Sequence, residues 1–446
     1  MSITANPRTA ELTSREGAEA YDLDRAHVFH SWSAQAALKP FVIAGALGST
    51  VWDYDGKHYL DFSSQLVNMN IGHQHPKVIA AIKEQADTIT MVAPPHANLA
   101  RGQAAQRILE KAGPTFGKVF FTNGGADAVE NAIRMARLTT GRDKIMSTYR
   151  SYHGNTGAAI VATGDWRRMP NEYSRGHVHF FGPFLYRTEF WAMSEAEECA
   201  RALHHLERVM QAEGASTIAA VLIESVPGTA GVLVPPAGYL AGVRALCDKY
   251  GMLLICDEVM AGFGRTGEWF AFQGFDVVPD LIAFAKGVNS GYVPVGGVVI
   301  SRDVAAQFDE QVFPGGLTYS GHPLAAASIV ASIDAMTEEK IIENARMIGT
   351  DHLGPGLAEL AAKHPLIGEV RGLGVFWALD LVTDAEARTP VPASVIGALK
   401  GELMARGVLP FAADNRIHVV PPCVITPDEV AQALSIYDEA FTAVEG

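Results

Sequence analysis

The chain has 446 residues, of which 48% are apolar and 19% are charged, a length that predicts two domains rather than one ordinary core. Lysine and arginine number 35 against 49 aspartate and glutamate, and the net charge of -14 disfavours nucleic acid or an anionic membrane as a partner. No apolar run reaches the length of about 18 residues that a membrane span needs.

The amino-terminal sequence and the cysteines give further expectations about location and metal content. The first residues are polar and include acids, unlike a signal or transit peptide. We therefore expect a soluble, cytoplasmic protein. The cysteines show no CxxC spacing, so we expect neither a disulfide nor a zinc site; they are Cys199, Cys247, Cys256 and Cys423.

Strands and helices alternate from about residue 118. A strand is predicted over residues 118–122, an amphipathic helix follows the glycines at 124 and 125, and another strand covers residues 144–149. Nearly continuous apolar runs then mark further strands, and helical patterns at 197–211 and 238–251 separate several of them. These runs are residues 217–225, 251–259, 280–286 and 296–301. The alternation predicts an α/β domain with a largely parallel sheet over residues 60–325, with sites expected at the carboxyl ends of the strands.

The rest of the chain predicts a smaller α+β domain, residues 326–446. A long helical stretch over about 323–350 is followed by strand patterns near 369–382 and 416–422 and by a final helix from Pro427. We expect the amino-terminal segment, residues 1–59, to pack with this smaller domain.

Asp257 and Glu258 end the apolar run at 251–259, and buried acids need partners. One interpretation is a Mg²⁺-binding Walker B strand, but the chain lacks G-x-x-x-x-G-K-[ST]. A structural salt bridge is a second. In the third, Asp257 pairs with a cationic ring nitrogen, which makes a pyridine ring an electron sink. This last chemistry is that of pyridoxal phosphate (PLP).

Lys286 directly follows the apolar run at 280–285. It is either a solvated lysine at a strand end or a lysine in an apolar site. An apolar site destabilises the ammonium and makes available the free amine that Schiff-base formation and proton abstraction require. Because Asp257 and Lys286 end two strands of one sheet, they would hold opposite ends of one cofactor ring.

A phosphate site is predicted where Gly124 and Gly125 precede a helix, because free N–H groups at a helix start attract anions. The alternative is an ordinary glycine turn. No G-x-G-x-x-G follows a first strand, which argues against a nicotinamide dehydrogenase. Tyr152, after the next strand, either lies flat against the cofactor or packs in the core.

The segment 253–267, LLICDEVMAGFGRTG, with Lys286 at 29 residues after Asp257, resembles the class III aminotransferase family. The resemblance extends over nearly the whole chain, through VWDYDGKHYLDFSS, NIGHQHPKV, NGGADAVENAIRMAR, YHGN, TYSGHPLAAA and RGLGVFWALDL. It implies a PLP enzyme of fold type I, with a mostly parallel sheet of the seven-stranded type, that works as a homodimer or a dimer of dimers with active sites at the subunit interface.

The resemblance also implies roles for individual residues. Lys286 carries the cofactor as a Schiff base, shuttles the proton, and is displaced by the substrate amine; Asp257 pairs with the ring nitrogen. The remaining cofactor contacts implied are Gly124, Gly125 and Ala126 at the phosphate, Tyr152 and Val259 on the two ring faces, Glu224 near the ring hydroxyl, and Thr318 at the phosphate of the partner chain's cofactor.

The substrate end departs from the family pattern. Ornithine and GABA types carry E-P-I-x-G-E-x-G, whereas residues 224–231 read ESVPGTAG, so Thr229 replaces the second glutamate. Their arginine three residues before Pro-Pro is His418 here, and the mobile arginine of pyruvate-using ω-transaminases is replaced in the segment at 411–412. Arg416 is the remaining candidate for a carboxylate, against a solvated strand-edge arginine.

Two further expectations concern the substrate. Phe29 and Trp32 resemble the aromatic entrance of the pocket, with core packing as the alternative. Without the paired glutamate and arginine, a dicarboxylate would bury an unmatched charge. We therefore predict an amine or ω-amino acid donor, such as taurine or β-alanine, and pyruvate as a better acceptor than 2-oxoglutarate. A PLP-dependent 2,1-aminomutase, a decarboxylase and a non-catalytic PLP-fold protein remain open as alternatives.

Overall fold

The computed structural model describes residues 13–171 and 174–446. The strands, in chain order, are β1 (Gly45–Leu47), β2 (Thr50–Trp52), β3 (His58–Asp61), β4 (Phe116–Thr122), β5 (Lys144–Thr148), β6 (His177–Phe180), β7 (Ile218–Glu224), β8 (Leu253–Asp257), β9 (Leu281–Phe284), β10 (Gly296–Ser301), β11 (Ile367–Leu373), β12 (Phe376–Asp384), β13 (Thr389–Pro390), β14 (Val408–Leu409), β15 (Phe411–Ala413) and β16 (Arg416–Val419).

The helices pack around these strands. They are α1 (Ser14–His27), α2 (Ser64–Val67), α3 (Pro76–Thr88), α4 (Leu99–Ala112), α5 (Gly125–Thr140), α6 (Gly157–Ala162), α7 (Glu195–Ala212), α8 (Tyr239–Tyr250), α9 (Arg302–Ala306), α10 (Pro323–Glu338), α11 (Ile341–Met347), α12 (Gly354–Lys363), α13 (Ala393–Ala405) and α14 (Pro427–Glu445).

A seven-stranded sheet forms the centre of the molecule, in the order β4-β10-β9-β8-β7-β5-β6. The five strands from β9 to β6 run parallel to one another, and β10 is antiparallel to both β4 and β9. Every residue of β7, β9 and β10 is buried, because helices cover both faces of the sheet. The predicted α/β architecture with a mainly parallel sheet is therefore confirmed, and the carboxyl ends of β5, β7, β8 and β9 meet at one edge.

Two smaller sheets contain the rest of the strands. One has the order β11-β12-β16-β15, with β13 on β12, and the other has the order β1-β2-β3-β14. Strand β14 runs parallel to β3 and pairs Val408 with Leu60, so the amino-terminal strands share a sheet with a carboxyl-terminal one. The domain limits after residues 59 and 325 remain a prediction.

The helical stretch predicted over about residues 323–350 is not one continuous helix. Helix α10 ends at Glu338, Lys340 adopts the left-handed conformation with φ 54°, and α11 begins at Ile341. The carboxylate of Glu339 accepts contacts from His75 and Lys77 of another segment, which fixes the chain at the break. Apolar residues continue on both sides of the break, so periodicity alone does not reveal it. Within the described ranges, no helix combines the length and the apolar character needed to cross a membrane.

Candidate functional site

The carboxyl edge of the central sheet holds a cavity of about 170 Å³. The register pairs Glu224 of β7 with Asp257 of β8, and Asp257 with Ala283 of β9, three residues before Lys286. Strands that end together therefore bring three ionisable side chains to one place. The cavity is lined by Gly125, Ala126, Tyr152, His153, Gly154, Glu224, Thr229, Asp257, Val259, Met260, Ala285 and Lys286.

Lys286 provides an amine that is only weakly basic for a lysine. Burial lowers its pKa to about 8, although the nearby carboxylates of Glu224 and Asp257 oppose the shift. Across residues 13–171 and 174–446, its Nζ atom has neither a hydrogen bond nor an ion pair. Its backbone has φ 44°, an uncommon conformation for a residue with a side chain. The lysine is therefore a free amine in an appreciable fraction of molecules near neutral pH, as a nucleophile requires.

Asp257 is buried and held from two sides. Its Oδ2 atom lies 2.7 Å from Nδ1 of His153, and its Oδ1 atom accepts a hydrogen bond of 3.0 Å from the backbone N–H of Val259. The carboxylate lines the cavity at the end of β8. A fixed, buried carboxylate in this position suits a protonated ring nitrogen.

The neighbouring acids have different surroundings. Glu224 lines the cavity, and burial raises its pKa to about 7, although it accepts hydrogen bonds from the backbone N–H groups of Tyr152 (3.0 Å) and Gly228 (2.9 Å). Glu258 is not among the cavity-lining residues. It accepts hydrogen bonds from the backbone N–H groups of Ala271 (2.7 Å) and Phe272 (3.0 Å), and burial raises its pKa to about 7. Glu258 therefore acts as a structural acid behind the site.

Helix α5 points its amino terminus at the cavity. Gly124 is its N-cap residue and makes no side-chain cap hydrogen bond, so the first N–H groups are available to an anion. A Cβ atom at Gly125 would lie 2.9 Å from a methyl carbon of Val259, and one at Gly154, where φ is 125°, would lie 2.5 Å from the Cβ atom of Ala126. Glycine is therefore required for the close backbone approach that forms this phosphate-sized cup.

Tyr152 lies between this cavity and a second one. It lines the first cavity, and the edge of its ring meets Trp32 at a centroid distance of 6.4 Å. The guanidinium carbon of Arg167 lies 3.9 Å from the centroid of the Tyr152 ring. Trp32 and Arg167 both line the second cavity, so Tyr152 lines one cavity and contacts two residues that line the other.

The second cavity has a volume of about 460 Å³ and shares Thr229 with the first. Four arginines line it, together with three aspartates: Arg150, Arg167, Arg187, Arg416, Asp165, Asp380 and Asp414. The Nη2 atom of Arg416 donates a hydrogen bond of 2.5 Å to Oδ2 of Asp414, but the Nε atom of Arg416 is buried and has no partner among the described residues. Burial lowers the pKa of Arg416. Because its side chain lines the cavity, the guanidinium of Arg416 is a candidate receptor for a carboxylate.

His418 does not replace the missing family arginine as a cation. Its ring is fully buried, its Nε2 atom lies 3.1 Å from the carbonyl oxygen of Gly228, and it packs on Phe411 at a centroid distance of 4.7 Å. Burial and the nearby guanidinium of Arg416 lower its pKa to about 3, so the ring is neutral. The positive charge that could bind an anionic group of a substrate is therefore supplied by the arginines of the second cavity.

Three of the predicted residues do not line either cavity: Gly124, Phe29 and Thr318. Gly124 is the N-cap residue directly before Gly125, whereas Phe29 is 85% exposed and Thr318 is exposed. The roles of Phe29 at the entrance and of Thr318 at the partner's phosphate remain predictions.

Three contributors to the site were not predicted from the sequence. His153 directly follows Tyr152, but its contact with Asp257 spans 104 positions of sequence. Arg167 and Asp165 lie in a connecting segment, whereas the substrate arginine was predicted only near residues 411–418. The adjacent arginines at 167 and 168, between the predicted strands at 144–149 and 217–225, were the available signal.

Comparison with known proteins agrees with this geometry. The model of the aminotransferase class-III family matches residues 32–441. The chain is 31% identical to a taurine–pyruvate aminotransferase of Bilophila wadsworthia, over 96% of this chain and 98% of that protein. It is 34% identical to a 5-aminovalerate aminotransferase of Pseudomonas aeruginosa, over 91% of this chain and 94% of that protein. A solved taurine:2-oxoglutarate aminotransferase from Bifidobacterium kashiwanohense, in complex with PLP and glutamate, is 44% identical, with a TM-score of 0.93 and coverage of 98% and 99%.

The residues at the sheet edge fit PLP, the cofactor of this family. Lys286 offers a free amine to its aldehyde, Asp257 a carboxylate to its ring nitrogen, and the start of α5 unpaired N–H groups to its phosphate. The chain has the fold of PLP-dependent transaminases and is itself a transaminase. It belongs to the class III aminotransferase family.

Proposed function

We propose that this transaminase takes the amino group of a short ω-amino acid or ω-amino sulfonate, of which taurine and β-alanine are examples, and passes it to a 2-oxo acid. The observation that carries the proposal is the adjacency of two cavities. The cavity of Lys286 and Asp257 shares Thr229 with one lined by four arginines. An amine that also carries an anion fits such a pair of cavities, because each end of the molecule meets a complementary group.

Different residues of the site have different roles in the proposed reaction. Bound PLP supplies the electron sink that stabilises negative charge at the substrate carbon. The amine of Lys286, with its pKa lowered to about 8, would take the proton from the substrate carbon and deliver it to the aldehyde carbon of the cofactor, and in the second half-reaction it would move a proton in the opposite direction. Asp257 keeps the ring nitrogen protonated, and His153 and the N–H of Val259 orient its carboxylate. The start of α5 binds the phosphate.

The identity of the donor is supported by charge and by relatives. The donors in the names of similar proteins include taurine, 5-aminovalerate and gamma-aminobutyrate, all of which carry an amine and an anion at opposite ends. Arg150, Arg167, Arg187 and Arg416 provide the positive charge in this chain. Each of these arginines has a carboxylate partner, yet a guanidinium has five N–H donors, so an anionic donor can still pair with N–H groups that a plain alkylamine would leave unused.

For the acceptor, the structure favours a different candidate from the sequence. The prediction of pyruvate rested on the lack of a guanidinium for a second carboxylate. Arg416 lies in the cavity with a buried Nε atom that has no partner in the described part of the chain. The similar protein with 44% identity is a taurine:2-oxoglutarate aminotransferase. These two observations support 2-oxoglutarate, which we propose as the acceptor in place of pyruvate.

We also propose that the enzyme is a homodimer. Thr318 is exposed and does not line the cavity of its own chain, as expected of a residue that serves the partner's cofactor. Location in the cytoplasm remains a prediction.

The test is a steady-state assay of the PLP-loaded enzyme with matched donors and acceptors. The donors are taurine, β-alanine and 1-propylamine, and the acceptors are 2-oxoglutarate, pyruvate and none. We expect the two anionic donors to have the higher kcat/KM and glutamate to form from 2-oxoglutarate. Product formation without any acceptor would indicate the aminomutase or decarboxylase alternative. A uniform preference for 1-propylamine would contradict the proposed donor class.

A further inference from the structure

Arg167 lies at the boundary between the cofactor cavity and the arginine-lined cavity. Its guanidinium carbon is 3.9 Å from the centroid of Tyr152, a residue that lines the cofactor cavity, and Arg167 itself lines the second cavity. The side chain is only 17% exposed. A guanidinium stacked on an aromatic face and shielded from solvent is held in one orientation and interacts strongly with an anion.

Asp165 fixes the guanidinium from one side. Both of its carboxylate oxygens lie 3.0 Å from Nε of Arg167, and Oδ2 also accepts a hydrogen bond from Nη2. The Nη1 atom of Arg167, by contrast, makes no hydrogen bond within residues 13–171 and 174–446. The pair therefore leaves one N–H₂ group of a positioned guanidinium available to a ligand in the cavity.

The charge of Arg167 also acts on the reacting amine. Burial is the main cause of the low pKa of Lys286, and the positive charge of Arg167 adds to the shift. The other arginines that line the cavity, Arg150, Arg187 and Arg416, are not among the causes of the pKa shift of Lys286. Arg167 therefore lowers that pKa more strongly than they do. Arg167 is therefore the cavity arginine best placed for a ligand whose amine lies at Lys286 and whose anion is only a few bonds away.

We propose that Arg167 is the specificity-determining residue that binds the remote anionic group of the amino donor, and that Asp165 is the positioning residue that fixes its guanidinium. The inference rests on the proposed function and deepens it by naming the donor class. That class is short amines with a sulfonate or carboxylate at the end remote from the nitrogen. Arg416, which lines the same cavity, is left for the second carboxylate of the acceptor.

The competing role for Arg167 is to support the ring of Tyr152 and nothing more. In that case its loss would impair every donor equally, since Tyr152 serves the cofactor whichever amine is bound. A receptor role predicts instead a loss confined to anionic donors. The comparison of a charged donor with a neutral amine of similar length therefore separates the two roles.

The first experiment measures kcat/KM of the PLP-loaded Arg167→Gln enzyme for taurine, β-alanine and 1-propylamine. We expect a loss of about 10- to 100-fold for both anionic donors, the effect of one missing charge-assisted pair, and little change for 1-propylamine. Arg167→Lys should recover part of the loss, because it keeps the charge but not the fork. Asp165→Asn should raise KM for taurine more than it lowers kcat.

The matched control is Arg168→Gln. Arg168 is the adjacent arginine, stacks on Tyr149 with its guanidinium carbon 5.6 Å from the ring centroid, and is not among the residues that line the second cavity. This variant should keep the wild-type preference for anionic donors. An equal loss in both variants would assign the effect to the segment and overturn the proposal.

The second experiment measures binding without chemistry. Ethanesulfonate has the anion of taurine but no amine, so it binds without reacting, and calorimetry on the PLP-loaded enzyme gives its dissociation constant. We expect Arg167→Gln to raise this constant by about 10- to 100-fold. Unchanged binding of ethanesulfonate, together with an equal loss for all donors, would overturn the inference. Failure of the proposed function would be distinct, because the wild-type enzyme would then transfer no amino group from taurine or β-alanine, whatever the result with ethanesulfonate.

Discussion

Nδ1 of His153 lies 2.7 Å from Oδ2 of Asp257, and both side chains are buried at the carboxyl edge of the central sheet. The other ring nitrogen of His153 is buried and has no partner among the described residues, so Asp257 sets the orientation of the imidazole. The N–H of Val259 holds the second oxygen of the carboxylate at 3.0 Å. The carboxylate that faces the cofactor is thus fixed from both ends, a condition for effective electrostatic stabilisation.

Replacing Asp257 tests whether this carboxylate takes part in the chemistry. Asp257→Asn should still bind PLP but lower kcat by orders of magnitude, because a neutral amide does not keep the ring nitrogen protonated. Steady-state kinetics and the visible spectrum of the bound cofactor measure the two effects separately. A reduction below about tenfold, or about 1.4 kcal/mol, would indicate that Asp257 is merely structural.

Replacing His153 tests the positioning of Asp257. His153→Asn should lower kcat by about 10-fold, since it removes one constraint on the carboxylate but leaves its charge. The pH at which the absorbance of the bound cofactor changes should also move, which a purely structural role would not produce. His177→Asn is the control, because His177 is on β6, on the other side of β5 from the site strands. Equal effects of the two variants would contradict the role of His153.

The low pKa of Lys286 predicts a pH-dependent stability of the cofactor-free protein. The change from the ordinary value of 10.5 to about 8 means that the buried ammonium costs about 3 kcal/mol, at about 1.4 kcal/mol per factor of ten. The unfolded lysine keeps its proton up to pH 10.5, so the cost is fully present below pH 8 and disappears as the pH rises from about 8 to 10.5.

The matching variant is Lys286→Met, which should abolish turnover because it removes the amine that we propose reacts with the cofactor. At pH 7 it should raise the free energy of unfolding of the cofactor-free protein by up to about 3 kcal/mol, and this gain should vanish near pH 10.5. Urea unfolding at several pH values measures the difference. A gain that is independent of pH would show that the lysine is neutral or solvated in the fold.

Arg416→Ala tests the choice of acceptor. We expect a loss of kcat/KM of about 10- to 100-fold for 2-oxoglutarate and little change for pyruvate, because only the dicarboxylate has a second charge to pair with the guanidinium. The assay uses one donor and compares both acceptors. If the wild-type enzyme already prefers pyruvate, the prediction from Thr229 and His418 is confirmed and Arg416 is not the receptor.

Thr318→Ala tests the shared active site. The hydroxyl should contribute one hydrogen bond to the phosphate of the partner's cofactor, so its loss should weaken PLP retention by about 5- to 10-fold. Equilibrium dialysis measures retention, and sedimentation gives the oligomeric state of the same sample. A wild-type enzyme that is fully active as a monomer would rule out this role for Thr318.

The sequence alone determined the strands of the central sheet and predicted the candidate pair, Asp257 and Lys286, at the carboxyl ends of two of them. The apolar runs that became β7, β8 and β9 are local patterns, because a strand buried on both faces must be apolar along its whole length. Asp257 and Lys286 could be recognised because each is a charged residue directly after such a run, where a charge requires a partner.

Only the tertiary structure decided which side chains meet around that pair. The contact of His153 with Asp257 and the position of Arg167 against Tyr152 join segments whose distance in sequence carries no periodic signal. The break at Lys340 was hidden as well, because apolar residues continue on both sides of it. Burial also made His418 a neutral ring, a state that its position before Pro421 does not indicate. The pKa and the partners of a polar group depend on the three-dimensional packing around it, and local sequence does not specify that packing.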